Sequence, residues 1–235
     1  MNIKVLKIGG SMISKSNDSL VDTEYLLSLK SLIMDNYAKF GTRFMLVAGG
    51  GRTARRYRDI LETCGITNKQ NLHWVGTSVN VVHAMIIKAV FDTVCDEDVL
   101  KFEEYYQDLP LKIENVVKAG GGGRPGHSGD VDTIIVAKRL GCNIIYSLKD
   151  VDGIYDSDPD KNPNAKRVNN LTWDEYLDII GNPVEHAPGA NFPIDPIAAK
   201  MAKEEDIKFI VLAGKDLPNF EKALRGEEFI GSTVI

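Results

Sequence analysis

Three short β-rich apolar runs, 3–8, 43–48 and 115–119, each end in a glycine cluster that precedes a helical pattern: Gly9-Gly10-Ser11, Gly49-Gly50-Gly51 and Gly120-Gly121-Gly122-Gly123. Glycine tolerates positive φ and lets bare amides close on a ligand, while a helix opening there adds partial positive charge, so the combination suits phosphate. Any single cluster is equally well read as a tight strand-to-helix connection. Three of them constrain the fold, because strand, glycine turn and helix in recurring order build a mainly parallel sheet covered by helices on both faces. Ligands then gather at the carboxyl ends of the strands. Further strand-like runs at 143–148 and 208–212 and helical periodicities at 23–37, 54–64, 79–94, 130–140, 172–180 and 196–204 continue the alternation.

Composition narrows the function classes. The 235 residues hold 28 Lys and Arg against 33 Asp and Glu, a net charge of −5 that leaves no positive field for gripping nucleic acid. No uninterrupted apolar run approaches the ~20 residues that cross a bilayer, and the first ten residues are too short and glycine-bounded for a signal peptide. A cytoplasmic location is expected. Cys64, Cys95 and Cys142 show no CxxC spacing and are expected to be reduced and mostly buried. No Walker sequence is present, and the GxGxxG of Gly121, Gly123 and Gly126 contains Pro125 and precedes a helix expected only near Asp130, which leaves a dinucleotide-binding fold as a weak runner-up.

Four segments carry a wider resemblance: Lys7-Ile8-Gly9-Gly10-Ser11, the stretch 47–57 with Gly49-Gly50-Gly51-Arg52, Pro125-Gly126-His127-Ser128-Gly129-Asp130, and 150–159 with Asp152-Gly153-Ile154-Tyr155 and Asp158-Pro159. With 162–166, 194–200 and Gly231-Ser232-Thr233, they make the chain resemble the amino acid kinase superfamily, most of all UMP kinases of the archaeal type, over essentially its whole length. The resemblance implies a three-layer α/β/α sandwich with a mainly parallel central sheet, one domain over 1–235. About 1–140 would bind the acceptor and carry oligomer contacts, and about 141–235 would bind ATP. It implies transfer of the γ-phosphoryl of ATP, with Mg2+ carried mainly by the ATP phosphates, to a nucleoside monophosphate such as UMP. It also implies a homo-oligomer of the hexameric kind, packed through the helices at 23–37 and 79–94.

By that resemblance Lys7 and Asp130 are catalytic: Lys7 bridges donor and moving phosphoryl, and Asp130 orients it. Gly9, Gly10 and Ser11 would meet the ATP phosphates, while Asp152, Tyr155 and Asp158 would hold adenine and ribose. Gly50, Gly51 and His127 would sit around the acceptor, with an arginine clamp from Arg55 or, next, Arg52. On residue type alone Asp130 reads equally as a helix N-cap, and Asp132 as an exposed first-turn acid. The stretch 96–104, with Tyr105 and Tyr106, reads as a solvated helix, and Trp74 as a core residue or, second, as a ring that stacks on an acceptor base.

The acceptor half departs from the family pattern. An aspartate that takes the ribose hydroxyls, three residues before Gly76, is here His73, and a neutral imidazole accepts one hydrogen bond where a carboxylate accepts both hydroxyls. Family Thr and Asn positions hold Asn80 and His83, and two loop threonines are Gly123 and Gly129. His186 falls in an acceptor-side segment too. Two alternatives therefore stand beside UMP: a kinase of the same superfamily with a non-nucleotide acceptor, and a nucleotide- or oxyanion-binding (molybdate-type) storage protein on this fold.

Overall fold

The computed structural model describes residues 2–14, 21–159, 161–183 and 192–235, so that His186 lies outside the described residues. The strands are β1 (Ile3–Ile8), β2 (Arg43–Ala48), β3 (Val117–Gly120), β4 (Ile144–Lys149), β5 (Ile154–Tyr155), β6 (Arg167–Val168), β7 (Asn170–Leu171), β8 (Lys208–Ala213) and β9 (Ser232–Val234). The helices are α1 (Gly10–Ile13), α2 (Thr23–Phe40), α3 (Gly51–Thr63), α4 (Lys69–Phe91), α5 (Gly129–Leu140), α6 (Trp173–Ile179), α7 (Pro196–Glu204) and α8 (Leu217–Arg225). Seven strands form one sheet in the order β3-β2-β1-β4-β8-β9-β7, and β5 with β6 makes a separate antiparallel pair. The five strands from β3 to β8 run parallel, whereas β9 returns antiparallel beside β8.

Strand alternation sorts the apolar residues into two cores. Leu6, Leu46, Leu148 and Leu212 pack with Leu29 of α2, Ile87 of α4 and Phe220 of α8. Their neighbours Val5, Val47, Ile145 and Val211 pack on the opposite face with Ile134 of α5, Tyr176 of α6 and Ala199 of α7. The result is the expected α/β/α sandwich. Each fully buried Leu, Ile or Phe contributes about 1.5–3 kcal/mol, so both helical layers are needed to hold the sheet.

Helix α4 starts ten residues before the apolar periodicity at 79–94 suggests, because the Asn68 side chain accepts from the Gln70 and Asn71 amides and caps it. Extended to Val94, it is long and apolar enough by length and composition to cross a bilayer, although polar residues such as Asn80, His83 and Lys88 break its apolar run. In the fold its buried stripe includes Ala84, Ile87 and Phe91 and packs in the first core. The stretch 96–104 is not a solvated helix. Buried Asp96 accepts from the Glu114 and Asn115 amides and pairs with Lys118 at 3.4 Å, and only a 3-10 turn at Phe102–Tyr106 follows. A short carboxylate within reach of free amides competes with a helix, and here it wins. Of the cysteines only Cys95 is buried; Cys142 is half-buried and Cys64 exposed.

Candidate active site

Val5 and Lys7 share one face of β1, and Ile145, Ser147 and Lys149 share the same face of β4, with Lys7 directly beside Ser147. The period of two therefore delivers two lysines from adjacent strands toward α5. Asp130, in the first turn of α5, receives both: Lys7 Nζ lies 3.0 Å from one carboxylate oxygen and Lys149 Nζ 3.6 Å from the other. The Asp195 amide adds a hydrogen bond of 3.1 Å. Capping of α5 falls to Ser128, whose hydroxyl accepts from the Val131 amide, which leaves Asp130 free for the lysines. Burial alone would raise the Asp130 carboxyl, but the ammonium groups of Lys149 and Lys7 outweigh it and hold it well below the usual carboxylate range. Burial pushes Lys149 down to about 8 against the opposing pull of Asp130. Lys149 was not singled out from the sequence; the phase of its strand, two steps beyond a core isoleucine, is the signal that could have found it.

Next to this cluster the first two glycine turns interlock. A Cβ on Gly10 would lie 2.1 Å from the Gly51 amide nitrogen, and one on Gly51, whose φ is +56°, would lie 2.3 Å from the Gly10 carbonyl carbon. Main chain thus meets main chain where α1 and α3 begin. The Gly9 amide donates to the Leu148 carbonyl at 2.8 Å and the Gly49 amide to the Ile8 carbonyl at 2.9 Å, so both extend the sheet and are not free for a ligand. The amides left at the rim belong to Gly10 and Ser11, to Gly50 at the cap of α3, and to Gly51 and Arg52 in its first turn, which has no intrahelical acceptor for them. A cleft of about 190 Å³ opens there, lined by Ser11, Met12, Arg52, Lys149, Asp150, Ala213 and Lys215. It contains Arg52, while Arg55 is exposed farther along a helix that buries no residue.

The third glycine turn is held differently. Asp132 is buried rather than exposed, 1% accessible, and accepts from the Gly123 amide at 2.9 Å. A Cβ at Gly123 would lie 2.2 Å from the other Asp132 oxygen, so glycine at 123 and aspartate at 132 require one another. Burial raises the Asp132 carboxyl to about 7, outweighing its bond from Gly123. Tyr106 fastens the rest of the turn: its hydroxyl accepts from the Arg124 amide at 3.1 Å and lies 2.8 Å from His127 Nδ1. Gly129 stands against Lys7, 3.3 Å from the place of a Cβ to Lys7 Cε. Asn80 of α4 reaches both turns, since its Oδ1 would lie 2.6 Å from a Cβ on Gly50 and its carbonyl oxygen 2.4 Å from one on Gly121.

The remaining histidines separate. His83 is buried with Nδ1 2.7 Å from the Gly49 carbonyl, and burial lowers its pKa, so it is a neutral strut for the second glycine turn. His73 is exposed on α4, one residue before Trp74, which is 43% exposed and packs its ring 5.8 Å from that of Phe102 instead of entering the core. Gly76 is half-buried on the same helix. On the far side, Asp152 accepts from the Tyr155 hydroxyl at 2.9 Å and pairs with Arg167 at 2.8 Å, and Asp158 pairs with Lys161 at 3.1 Å. Ser232 of β9 ties this hairpin to the sheet by accepting from the Ile154 amide and donating to the Val168 carbonyl. The structure thus brings together Lys7, Asp130, Gly10, Ser11, Gly50, Gly51 and Gly129, and keeps apart from them Asp152 and Tyr155, bonded to each other, and Asp158, paired with Lys161.

A mainly parallel α/β/α sandwich with two lysines, a shared aspartate and glycine amides at the strand ends defines a class of proteins built to hold phosphate groups. In the dinucleotide-binding alternative the helix would open inside the glycine motif; here α5 starts at Gly129, beyond Gly126. The amino acid kinase family profile matches residues 2–213, and the chain belongs to that family. It is 29% identical over 231 residues to uridylate kinase of Pyrococcus abyssi, covering 98% of each chain. It is 30% identical over 232 residues to uridylate kinase of Methanobrevibacter smithii, again covering 98% of each. Its fold superposes on uridylate kinase from Archaeoglobus fulgidus with a TM-score of 0.80 at 24% identity, covering 100% of both chains.

Proposed function

We propose that the protein catalyses transfer of the γ-phosphoryl group of ATP to the phosphate of a nucleoside monophosphate, UMP foremost, giving UDP and ADP. The observation that carries this reading is the pair of lysines gathered on Asp130 beside the interlocked glycine turns, since two ammonium groups against one carboxylate leave net positive charge where two polyanions must meet. The near-full-length similarity to uridylate kinases supports the choice of acceptor.

Chemically the step needs positioning and charge neutralisation more than proton removal, because an ionised phosphate is already a nucleophile. An acceptor phosphate oxygen attacks the γ-phosphorus, the bond from that phosphorus to the β,γ-bridging oxygen breaks, and the electron pair leaves with ADP. Lys7 neutralises the moving group and Asp130 fixes Lys7; the amides of Gly10 and Ser11 cradle the donor, and those of Gly50 and Gly51, with Arg52 or Arg55, the acceptor. His127, oriented by Tyr106, edges the acceptor side with His73 and Gly76. Asp152, Tyr155 and Asp158 receive the adenosine, the Tyr155 ring offering a face for the purine. Residues 1–140 then serve the acceptor and 141–235 the ATP. Among the described residues no three His, Cys, Asp or Glu side chains gather to hold a metal, and both Asp130 oxygens are engaged. The donor set does not fit a protein-only cage; Mg2+ would be carried by the ATP phosphates and would neutralise part of their charge.

A cytoplasmic homo-oligomer in pyrimidine nucleotide metabolism accords with this reading. A second acceptor, lacking a ribose, is favoured by one observation: the Asp132 carboxylate occupies the space that a Gly123 side chain would need. Screening acceptors with MgATP and following ADP release tests both. Stimulation by UMP supports the first, stimulation by a non-nucleotide phosphate or oxyanion supports the second, and tight ATP binding without stimulation by any acceptor overturns both in favour of a storage role.

A further inference from the structure

We propose that Lys149 is a second phosphate-contacting ammonium, the one that faces the triphosphate of the donor while Asp130 keeps Lys7 engaged. The proposal rests on the phosphoryl-transfer reading and deepens it. Three observations separate Lys149 from a mere counterion. First, Lys149 stands farther from Asp130 than Lys7 does, at 3.6 Å against 3.0 Å, and on the oxygen that already accepts from the Asp195 amide at 3.1 Å. Second, Lys149 lines the cleft with Ser11, Arg52 and Lys215, whereas Lys7 does not. Third, its stem is fixed by the strand, and its side chain is only 13% exposed, so a phosphate meeting it displaces little water from it and gains an interaction in a low-dielectric site.

A charge count points the same way. Lys7 and Asp130 alone form a neutral pair with nothing left for a polyanion; Lys149 supplies the surplus. Keeping a second ammonium on one buried carboxylate costs stability, which is the pattern of a group kept for chemistry. In the step itself the acceptor oxygen–phosphorus bond forms as the bond to the β,γ-bridging oxygen breaks. The negative charge that builds on that departing oxygen is what the Lys149 ammonium neutralises. Lys149 transfers no proton.

The charged groups that face Lys149 are Asp130 of α5, Lys7 of β1, and Asp150 next to it, with Arg52 of α3 and Lys215 across the cleft. An ammonium needed in the free enzyme gives kcat/KM for ATP an alkaline limb near pH 8. Lys149→Met and Lys149→Arg should be compared with the unaltered protein by calorimetry with MgATP and by steady-state turnover, with circular dichroism as the check on folding. Lys149→Met is expected to weaken ATP binding at least tenfold and to lower kcat about 100-fold, and to remove the limb; Lys149→Arg should retain binding and move the limb to higher pH. ATP affinity within about threefold in folded Lys149→Met, with the limb still near pH 8, overturns the proposal even if its melting temperature falls. Should the unaltered protein turn over no acceptor while Lys149→Met still loses ATP affinity, the functional reading fails and this one stands.

Discussion

Asp130 and Asp132 sit two residues apart in the first turn of one helix, and their surroundings drive their carboxyl groups in opposite directions. Asp130 is held ionised by Lys149 and Lys7, while Asp132, buried with one oxygen bonded to the Gly123 amide and the other without a partner among the described residues, is raised to about 7. Asp132→Asn keeps an acceptor for Gly123 and removes a poorly solvated charge, so it should stabilise the fold at pH 8 by about 1–3 kcal/mol and have little effect at pH 5, as denaturant titrations at the two pH values would read. Loss of the lysine or of its partner is not symmetrical. Lys7→Ala leaves Asp130 paired with Lys149, whereas Asp130→Asn leaves two buried ammonium groups facing each other. Both should lower kcat by at least about 1,000-fold, but only Asp130→Asn should cost about 3–5 kcal/mol of stability, a contrast that melts and turnover measured on the same samples would expose. On the acceptor side, His73→Asp restores a group able to accept two hydroxyls and should raise kcat/KM for UMP about tenfold; unchanged kinetics would place the ribose elsewhere.

At the scale of elements, glycine turns govern what the strands and helices can do. Gly10→Ala would thrust a methyl group to 2.1 Å from the Gly51 amide nitrogen, and with backbone on the other side nothing flexible can give way. We expect a loss above about 3 kcal/mol, or separation of α1 from α3 with loss of ATP binding, measured by thermal melts and calorimetry. These turns were legible in the sequence, as were the five parallel strands and the meeting of Lys7 with Asp130. Other elements were not, each for a local reason. The two-residue strands β5, β6 and β7 are too short to show a period, and all three are anchored by β9 from a distant part of the chain, β5 and β6 through Ser232 and β7 by pairing beside Thr233 and Val234. Helix α8 hides behind Pro218 at its start, yet Asp216 caps it through the Asn219 amide. Asp132 was read as exposed because first-turn acids commonly are; only the folded third glycine turn brings the Gly123 amide to it.

Taken as a whole, the molecule carries its least comfortable charges in one place, and its stability should follow pH accordingly. Asp132 titrates higher folded than unfolded, so the native state holds the extra proton between about pH 4 and 7 and stability falls as pH rises through that window. Lys149 titrates lower folded than unfolded, so the native state releases its proton first and stability rises again between about pH 8 and 10.5. Melting temperatures across this range should dip near pH 7 to 8, Asp132→Asn flattening the acid side and Lys149→Met the alkaline side. The outer surface carries apolar side chains as well: Leu27 on α2 and Val82 and Met85 on α4 are about half exposed or more, at 60%, 52% and 49%. If they seal contacts between copies, as the homo-oligomer reading holds, Val82→Glu with Met85→Glu should shrink the particle seen by sedimentation equilibrium, and an unchanged mass would remove that face from the assembly. The seam between Gly10 and Gly51 has a longer reach. Ordinary contacts drift over generations because a bulkier residue on one side can be matched by a smaller one opposite, but neither partner here has anything left to shed. A side chain at either glycine has to move backbone, so every wall of the cleft is freer to change than this one join.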